Sequence, residues 1–123
     1  MSNHVQREGA TMQQPNQYGV YRAETIEELA RIGRAFAAIE FCQCEDGLYR
    51  YSLQLQYSYG GFGGPICAST EGFATQAAAK EAGVAELLRR FPEGWASDPQ
   101  SVHDELRYMR AKIESDFRQP TLF

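Results

Sequence analysis

The residue types able to carry chemistry are few. Cys42, Cys44, Cys67 and His103, with His4, are the only thiol and imidazole metal ligands in the chain. A zinc site needs about four converging ligands, commonly with two to four residues between paired cysteines. Cys42-Gln43-Cys44 places a single residue between its thiols, and the other ligands lie far away in sequence. Small, partly buried thiols on a strand are expected rather than a metal centre. Cys67 and His103 are the one combination that would supply a nucleophile and a base. Nothing in the sequence brings them together, so no catalytic residue, no metal and no cofactor are assigned. Gly60-Gly61-Phe62-Gly63-Gly64 has the glycine content of a phosphate loop. It lacks the Gly-Lys-Ser/Thr ending and joins two strands, so a mobile hairpin tip is expected. Phe62 at that tip is either tucked under the loop or presented to a partner.

The candidates for nucleic-acid contact are Arg50, Lys80, Arg89 and Arg90. Arg50 shares a polar strand face with Ser52, Gln54 and Gln56. Arg89 and Arg90, with Arg107 and Arg110, would make a basic patch. Glu86, Asp104 and Glu105 are close enough in sequence to neutralise it, and a mixed-charge surface is expected.

These residues need elements to hold them. Thr25-Ile26-Glu27-Glu28 has the spacing of a capping box, and Ile26, Leu29, Gly33, Phe36 and Ala37 continue at helical spacing. A first helix from Thr25 to about Ala38 is therefore expected, with Gly33 permitting a close approach. A strand carrying Ile39 and Phe41 follows, and then a long one. In the long strand Tyr49, Tyr51, Leu53, Leu55, Tyr57 and Tyr59 alternate with polar residues. A three-residue Glu45-Asp46-Gly47 loop pairs Phe41 with Tyr51 and Ile39 with Leu53, and puts Gly47 at the left-handed bulge position. A third strand is expected at about Ile66 to Thr70, and a helix at about Phe73 to Phe91, buried through Phe73, Ala77, Val84, Leu88 and Phe91. The last helix is capped by Ser97 or Asp98, takes Pro99 in its first turn and ends at Pro120. It carries Val102, Leu106, Met109, Ile113 and Phe117 as one apolar stripe.

The order helix, three strands, helix, helix predicts a two-layer α+β domain, a three-stranded antiparallel sheet packed on helices as α-β-β-β-α-α. Residues 1–20, rich in Gln, Asn and Gly, are expected to be a disordered tail, 21–118 the single domain, and 119–123 a linear motif.

The chain has 123 residues, 12 Lys and Arg against 16 Asp and Glu, and 43% hydrophobic residues. This suits one domain with an ordinary core. The net charge of −4 argues against a protein that coats nucleic acid. No apolar run has the roughly 18 residues of a membrane span, and the first residues do not form a signal peptide. Three cysteines with no CxxC pair fit a reduced, cytoplasmic setting.

Residues 119–123, Gln119-Pro120-Thr121-Leu122-Phe123, resemble the pentapeptide by which bacterial replication and repair proteins bind the DNA polymerase sliding clamp. That pattern is Gln, two variable residues, Leu or Met, then Phe or Leu. The resemblance implies a polar anchor at Gln119 and apolar plugs at Leu122 and Phe123. The match covers five of 123 residues. A second resemblance lies in the body. Its helix, three strands and helix are similar in order to double-stranded RNA-binding domains, and Thr75-Gln76-Ala77-Ala78-Ala79-Lys80-Glu81-Ala82 is similar to their small-residue helix. The family grips phosphates with a Lys-rich helix start. Here Gln76 and Ala77 stand at those places and Lys80 alone is basic, so the chain departs from the family's phosphate grip.

The leading expectation is a non-enzymatic bacterial, phage or plasmid binding protein. It would dock on the sliding clamp through Gln119, Leu122 and Phe123, with Phe62 as a further partner contact. A nucleic-acid module using Arg50, Lys80, Arg89 and Arg90, or a small anti-defence inhibitor, are the alternatives.

Overall fold

The computed structural model describes residues 12–118. In chain order the elements are β1 (Met12–Gln13), β2 (Val20–Tyr21), β3 (Thr25–Ile32), β4 (Ala35–Cys44), β5 (Tyr49–Tyr57), β6 (Gly60–Phe62), β7 (Ile66–Cys67), α1 (Gln76–Arg90) and α2 (Gln100–Arg118). Strands β3, β4, β5 and β6 form an antiparallel meander. β1 joins the far end of β4 in parallel, which makes a mixed five-stranded sheet. β2 and β7 form a separate two-stranded antiparallel sheet.

This corrects the expected three-stranded sheet and the order α-β-β-β-α-α, and with it the helix-first order of double-stranded RNA-binding domains. The segment expected as a helix from Thr25 is a hairpin of β3 and β4. Gly33 has φ +62°, so the chain reverses at Gly33-Arg34 and Ile32 pairs with Ala35. Glycine at the first central position of a two-residue turn matches the twist of the flanking strands. A bulge lies between Glu28 and Ala30, and it breaks strict alternation along β3. Apolar residues then fall at a spacing that resembles a helix face. Ile26, expected on a buried helical stripe, is 64% exposed.

The β4–β5 register is the one expected, Phe41 opposite Tyr51 and Ile39 opposite Leu53. Gly47 has φ +85° and closes the loop by donating to the Cys44 carbonyl at 2.8 Å. The glycine segment is not a hairpin tip. Gly60, Gly61 and Phe62 pair with Tyr57, Gln56 and Leu55 across a Ser58-Tyr59 turn. The expected strand from Ile66 leaves this sheet altogether, and its first two residues pair with β2. Residues 12–20, placed in the tail by composition, include β1 and the first residue of β2.

The main core lies between the sheet and the two helices. β4 contributes Ala35, Ala37, Ile39 and Phe41, and β5 contributes Leu53 and Leu55. The partly buried Tyr49, Tyr51 and Tyr57 pack against this core, so the tyrosine row faces the helices. α1 begins later than expected. The Thr75 hydroxyl caps it by accepting from the Ala78 amide at 3.0 Å, while Phe73 is tied to the sheet instead. Its buried residues are Ala79, Gly83, Val84 and Leu87, whereas Ala77 is exposed. α2 buries the expected stripe of Val102, Leu106, Met109 and Ile113. A second, smaller core on the other sheet face joins Cys42 and Cys44 to Tyr21 and Ile66. β4 is therefore buried on both faces at this end. No helix among the described residues is long and apolar enough to cross a membrane.

Candidate functional site

The outer edge of β5 is interrupted. At one end Leu55 pairs with Phe62 of β6. At the other, Tyr49 exchanges both backbone hydrogen bonds with Phe73, at 2.7 and 2.8 Å. Between these points the chain leaves the edge at residue 63, visits β7 and returns at residue 72. Backbone groups alternate in direction along a strand, so Tyr51 and Leu53 aim theirs the same way as Tyr49. Neither residue has a strand partner on that edge among the described residues.

The gap opens into a cleft of about 630 Å³. α1 forms one wall with Ala82, Ala85, Glu86 and Arg89, while residues 63–65 and Thr70 form the other. Phe62 and Phe73 mark its ends. The Tyr51 ring lies 6.1 Å from that of Phe73, and its hydroxyl donates to Glu86 Oε1 at 2.5 Å. Burial, and then the Glu86 carboxylate, push the Tyr51 phenol well above its ordinary value, so it stays neutral and keeps donating. Arg90 bonds the other Glu86 oxygen at 3.2 Å and lies over the Phe62 ring, 4.2 Å from its centroid.

Of the sequence-predicted residues, the cleft gathers Phe62, Arg89 and Arg90. Phe62 is tucked against α1 and half-buried. Arg89 is exposed, and no ion pair to it occurs among the described residues. Arg50 lies elsewhere, on the opposite sheet face. Its side chain is 11% exposed, forked onto Asp46 at 3.1 and 3.2 Å and bonded through Nε to the Thr70 carbonyl at 2.9 Å. The guanidinium holds the Asp46 carboxyl below its ordinary range. Lys80 is paired with Glu27 of β3. Gln119, Leu122 and Phe123 lie outside the described residues.

The structure also separates the candidate chemical groups. His103 meets the Trp95 carbonyl at 3.0 Å on the helix layer, whereas Cys67 belongs to the second sheet. No group of three or more His, Cys, Asp or Glu side chains able to hold a metal occurs among the described residues. Sequence reasoning missed Tyr51, Leu53, Ala82, Ala85 and Glu86 as cleft residues. The signal present was slight: Ala82 and Ala85 sit one helical turn apart, beside Glu86 and Arg89.

No protein-family model, no curated protein and no solved structure matches the chain.

Proposed function

We propose that the protein is a non-enzymatic binding protein that docks on the bacterial sliding clamp through Gln119, Leu122 and Phe123, in the cytoplasm, where it serves replication, repair or host interaction. The observation that carries this reading is the Gln119-Pro120-Thr121-Leu122-Phe123 pattern placed directly after α2. The placement is physically apt. The apolar stripe of α2 is already engaged by the core from Val102 through Ile113, with Phe117 packed against it. The pentapeptide thus follows a helix that is already anchored. Pro120 disfavours continuing that helix, which suits an extended linear motif.

Three of the four basic residues of the nucleic-acid alternative are engaged by carboxylates, and Arg89 alone is exposed with no ion pair among the described residues. Arg50 is engaged by Asp46, Lys80 by Glu27 and Arg90 by Glu86.

Burying a Leu or a Phe contributes about 1.5–3 kcal/mol each, less the cost of ordering the segment. A micromolar-range attachment is expected, and loss of either side chain should weaken it roughly tenfold or more. The experiment compares binding of purified bacterial sliding clamps to the full chain, to Leu122→Ala, to Phe123→Ala and to a chain lacking residues 119–123. Equal affinity in all four, or no binding by the full chain, overturns the reading.

A further inference from the structure

We infer that the gap in the edge of β5 is a binding site for a small planar ligand, a nucleoside monophosphate, whose base takes up the backbone groups of Tyr51 and Leu53 and whose phosphate meets Arg89. The gap is short. Gly63 and Gly72 lie against β5 at its two ends, where a Cβ on Gly63 would overlap Gln54 Oε1 and one on Gly72 would overlap Leu48 Cβ. What stays open runs from Tyr51 to Leu53, roughly 7 Å at about 3.3 Å per residue. That is too little for an added strand and suits the edge of a ring system. Along it the Tyr51 carbonyl stands beside the Leu53 amide, an acceptor next to a donor, and neither has a backbone partner among the described residues. Backbone polar groups in a partly closed cleft call for partners. The pairing edge of every nucleobase offers the complement, a donor next to an acceptor in one plane.

The walls suit a flat guest. On the helix side the gap is lined by Ala82 and Ala85, whose short side chains leave room in α1. On the other side lie Gly64 and Pro65, with the Gly64 carbonyl held by the Gln54 side chain at 3.0 Å. A Cβ on Gly64 would meet nothing within 4 Å, so this wall stands back from the edge. Phe62, Phe73 and the Tyr51 ring supply apolar surface around it. The cleft volume of about 630 Å³ lies within the roughly 300–1,000 Å³ of small-molecule sites.

The charged groups of the cleft leave one place for an anion. Glu86 is shared by Tyr51 and Arg90, and Arg90 also covers the Phe62 ring. Arg89 lines the same cleft, is exposed and has no ion pair among the described residues. It stands on the helix side, near enough for its charge to act on the Tyr51 hydroxyl, which is a side-chain length away from the strand edge. A group carried on the far side of the base from its pairing edge reaches that region. An arginine fork there matches a phosphate. Glu71 also acts on the Tyr51 hydroxyl and repels further negative charge. One phosphate is therefore favoured over a di- or triphosphate and over a polymer.

The test titrates the full chain with the 5′-monophosphates of adenosine, cytidine, guanosine and uridine, read residue by residue from backbone amide NMR signals. At least one is expected to bind at millimolar concentration or below and to shift the Leu53 and Tyr51 amides. The same nucleotide methylated on its pairing edge should not bind, and its di- and triphosphates should bind more weakly. Arg89→Gln, at an exposed helical site, should cost the nucleotide roughly tenfold in affinity and leave the nucleoside unaffected. Ala85→Leu, also exposed and a good helix former, should fill the gap and abolish binding with the fold retained. No binding of any of the four at millimolar concentration overturns the inference, as does binding that leaves the Tyr51 and Leu53 amides unshifted. Ribose 5-phosphate binding as tightly as the nucleotide also overturns it, since Arg89 would then hold a phosphate with no part for the strand edge. The clamp experiment reads a different segment, so either proposal can fail alone.

Discussion

The Arg90 guanidinium rests 4.2 Å from the centroid of the Phe62 ring, and this contact ties the last turn of α1 to the short strand β6. Arg90 is half exposed and also bonds Glu86, so water screens part of its charge. A coupling of about 0.5–1 kcal/mol is expected for such a cation–π pair. The measurement is a double-mutant cycle of Phe62→Leu and Arg90→Met by urea denaturation, which keeps most of the apolar contact and removes the ring and the charge. Strict additivity of the two changes would mean that the stacking contributes nothing.

Gly83 gives a second, more local prediction. A Cβ built on it would overlap Cδ1 of Ile39, and the Tyr51 ring, 3.3 Å away, limits retreat in that direction. Ile39 is fully buried, so its side chain has little room to yield. Replacing a helical Gly by Ala ordinarily gains about 1 kcal/mol, whereas overpacking a core costs about 1–3 kcal/mol. Gly83→Ala is therefore expected to lose roughly 1 kcal/mol net. Ile39→Val removes the overlapping methyl, so the double variant should be more stable than the sum of the two single changes predicts. A Gly83→Ala protein more stable than the parent would show that α1 and β4 are not this close.

The pH dependence follows from Asp46 and Tyr51. The Arg50 guanidinium lowers the Asp46 pKa in the folded state from the ordinary 3.8. Its contribution is thus present above the unfolded value and is lost as pH falls through the lowered folded value. Tyr51 is shifted the other way, upward from 10.0. Its contribution is complete below the unfolded value and is lost as pH rises toward the raised folded one. Stability should be level between about pH 5 and 9, falling below about pH 4 and above about pH 10. Asp46→Asn should be less stable at pH 7 and should show a shallower acid decline. Tyr51→Phe should make the alkaline decline shallower without removing it, since Tyr21 and Cys42 are shifted upward as well. Chemical denaturation at a series of pH values reads both, and unchanged slopes in these variants would dismiss the assignment.

The β4–β5 hairpin was legible because two local signals agree. Gly47 marks the bulge, and only one register brings Phe41 onto Tyr51 and Ile39 onto Leu53. β3 was not, since its bulge shifts the alternation by one residue and leaves Ile26, Leu29 and Phe36 at spacings that fit a helix as well. Gly33 then looked like a packing glycine, although its work is to turn the chain. In the cleft, Phe62, Arg89 and Arg90 stood out singly by residue type. Their meeting depends on β6 folding back on β5, and the open edge at Tyr51 and Leu53 depends on the detour of residues 63–72 to the second sheet. Neither is a property of any local stretch of sequence.

The three thiols differ enough in setting to be told apart chemically. Cys42 and Cys44 are buried in the second core with their sulfurs 3.7 Å apart, while Cys67 is partly exposed beside the Pro65 carbonyl. Burial, and then the neighbouring Cys44 sulfur, push the Cys42 thiol far above its ordinary 9.0. The thiolate is the reacting form, so Cys42 has almost none at neutral pH and is shielded as well. Native protein at pH 8 should therefore alkylate at Cys67 first, with Cys42 and Cys44 following only as fast as the fold opens. Mass spectrometry after timed iodoacetamide exposure, with and without urea, measures this. Equal labelling of all three without urea would show that the β2–β7 sheet does not cover β4 in solution. In Tyr21→Ala, which removes part of that cover, Cys42 and Cys44 should label faster while Cys67 labels at its former rate.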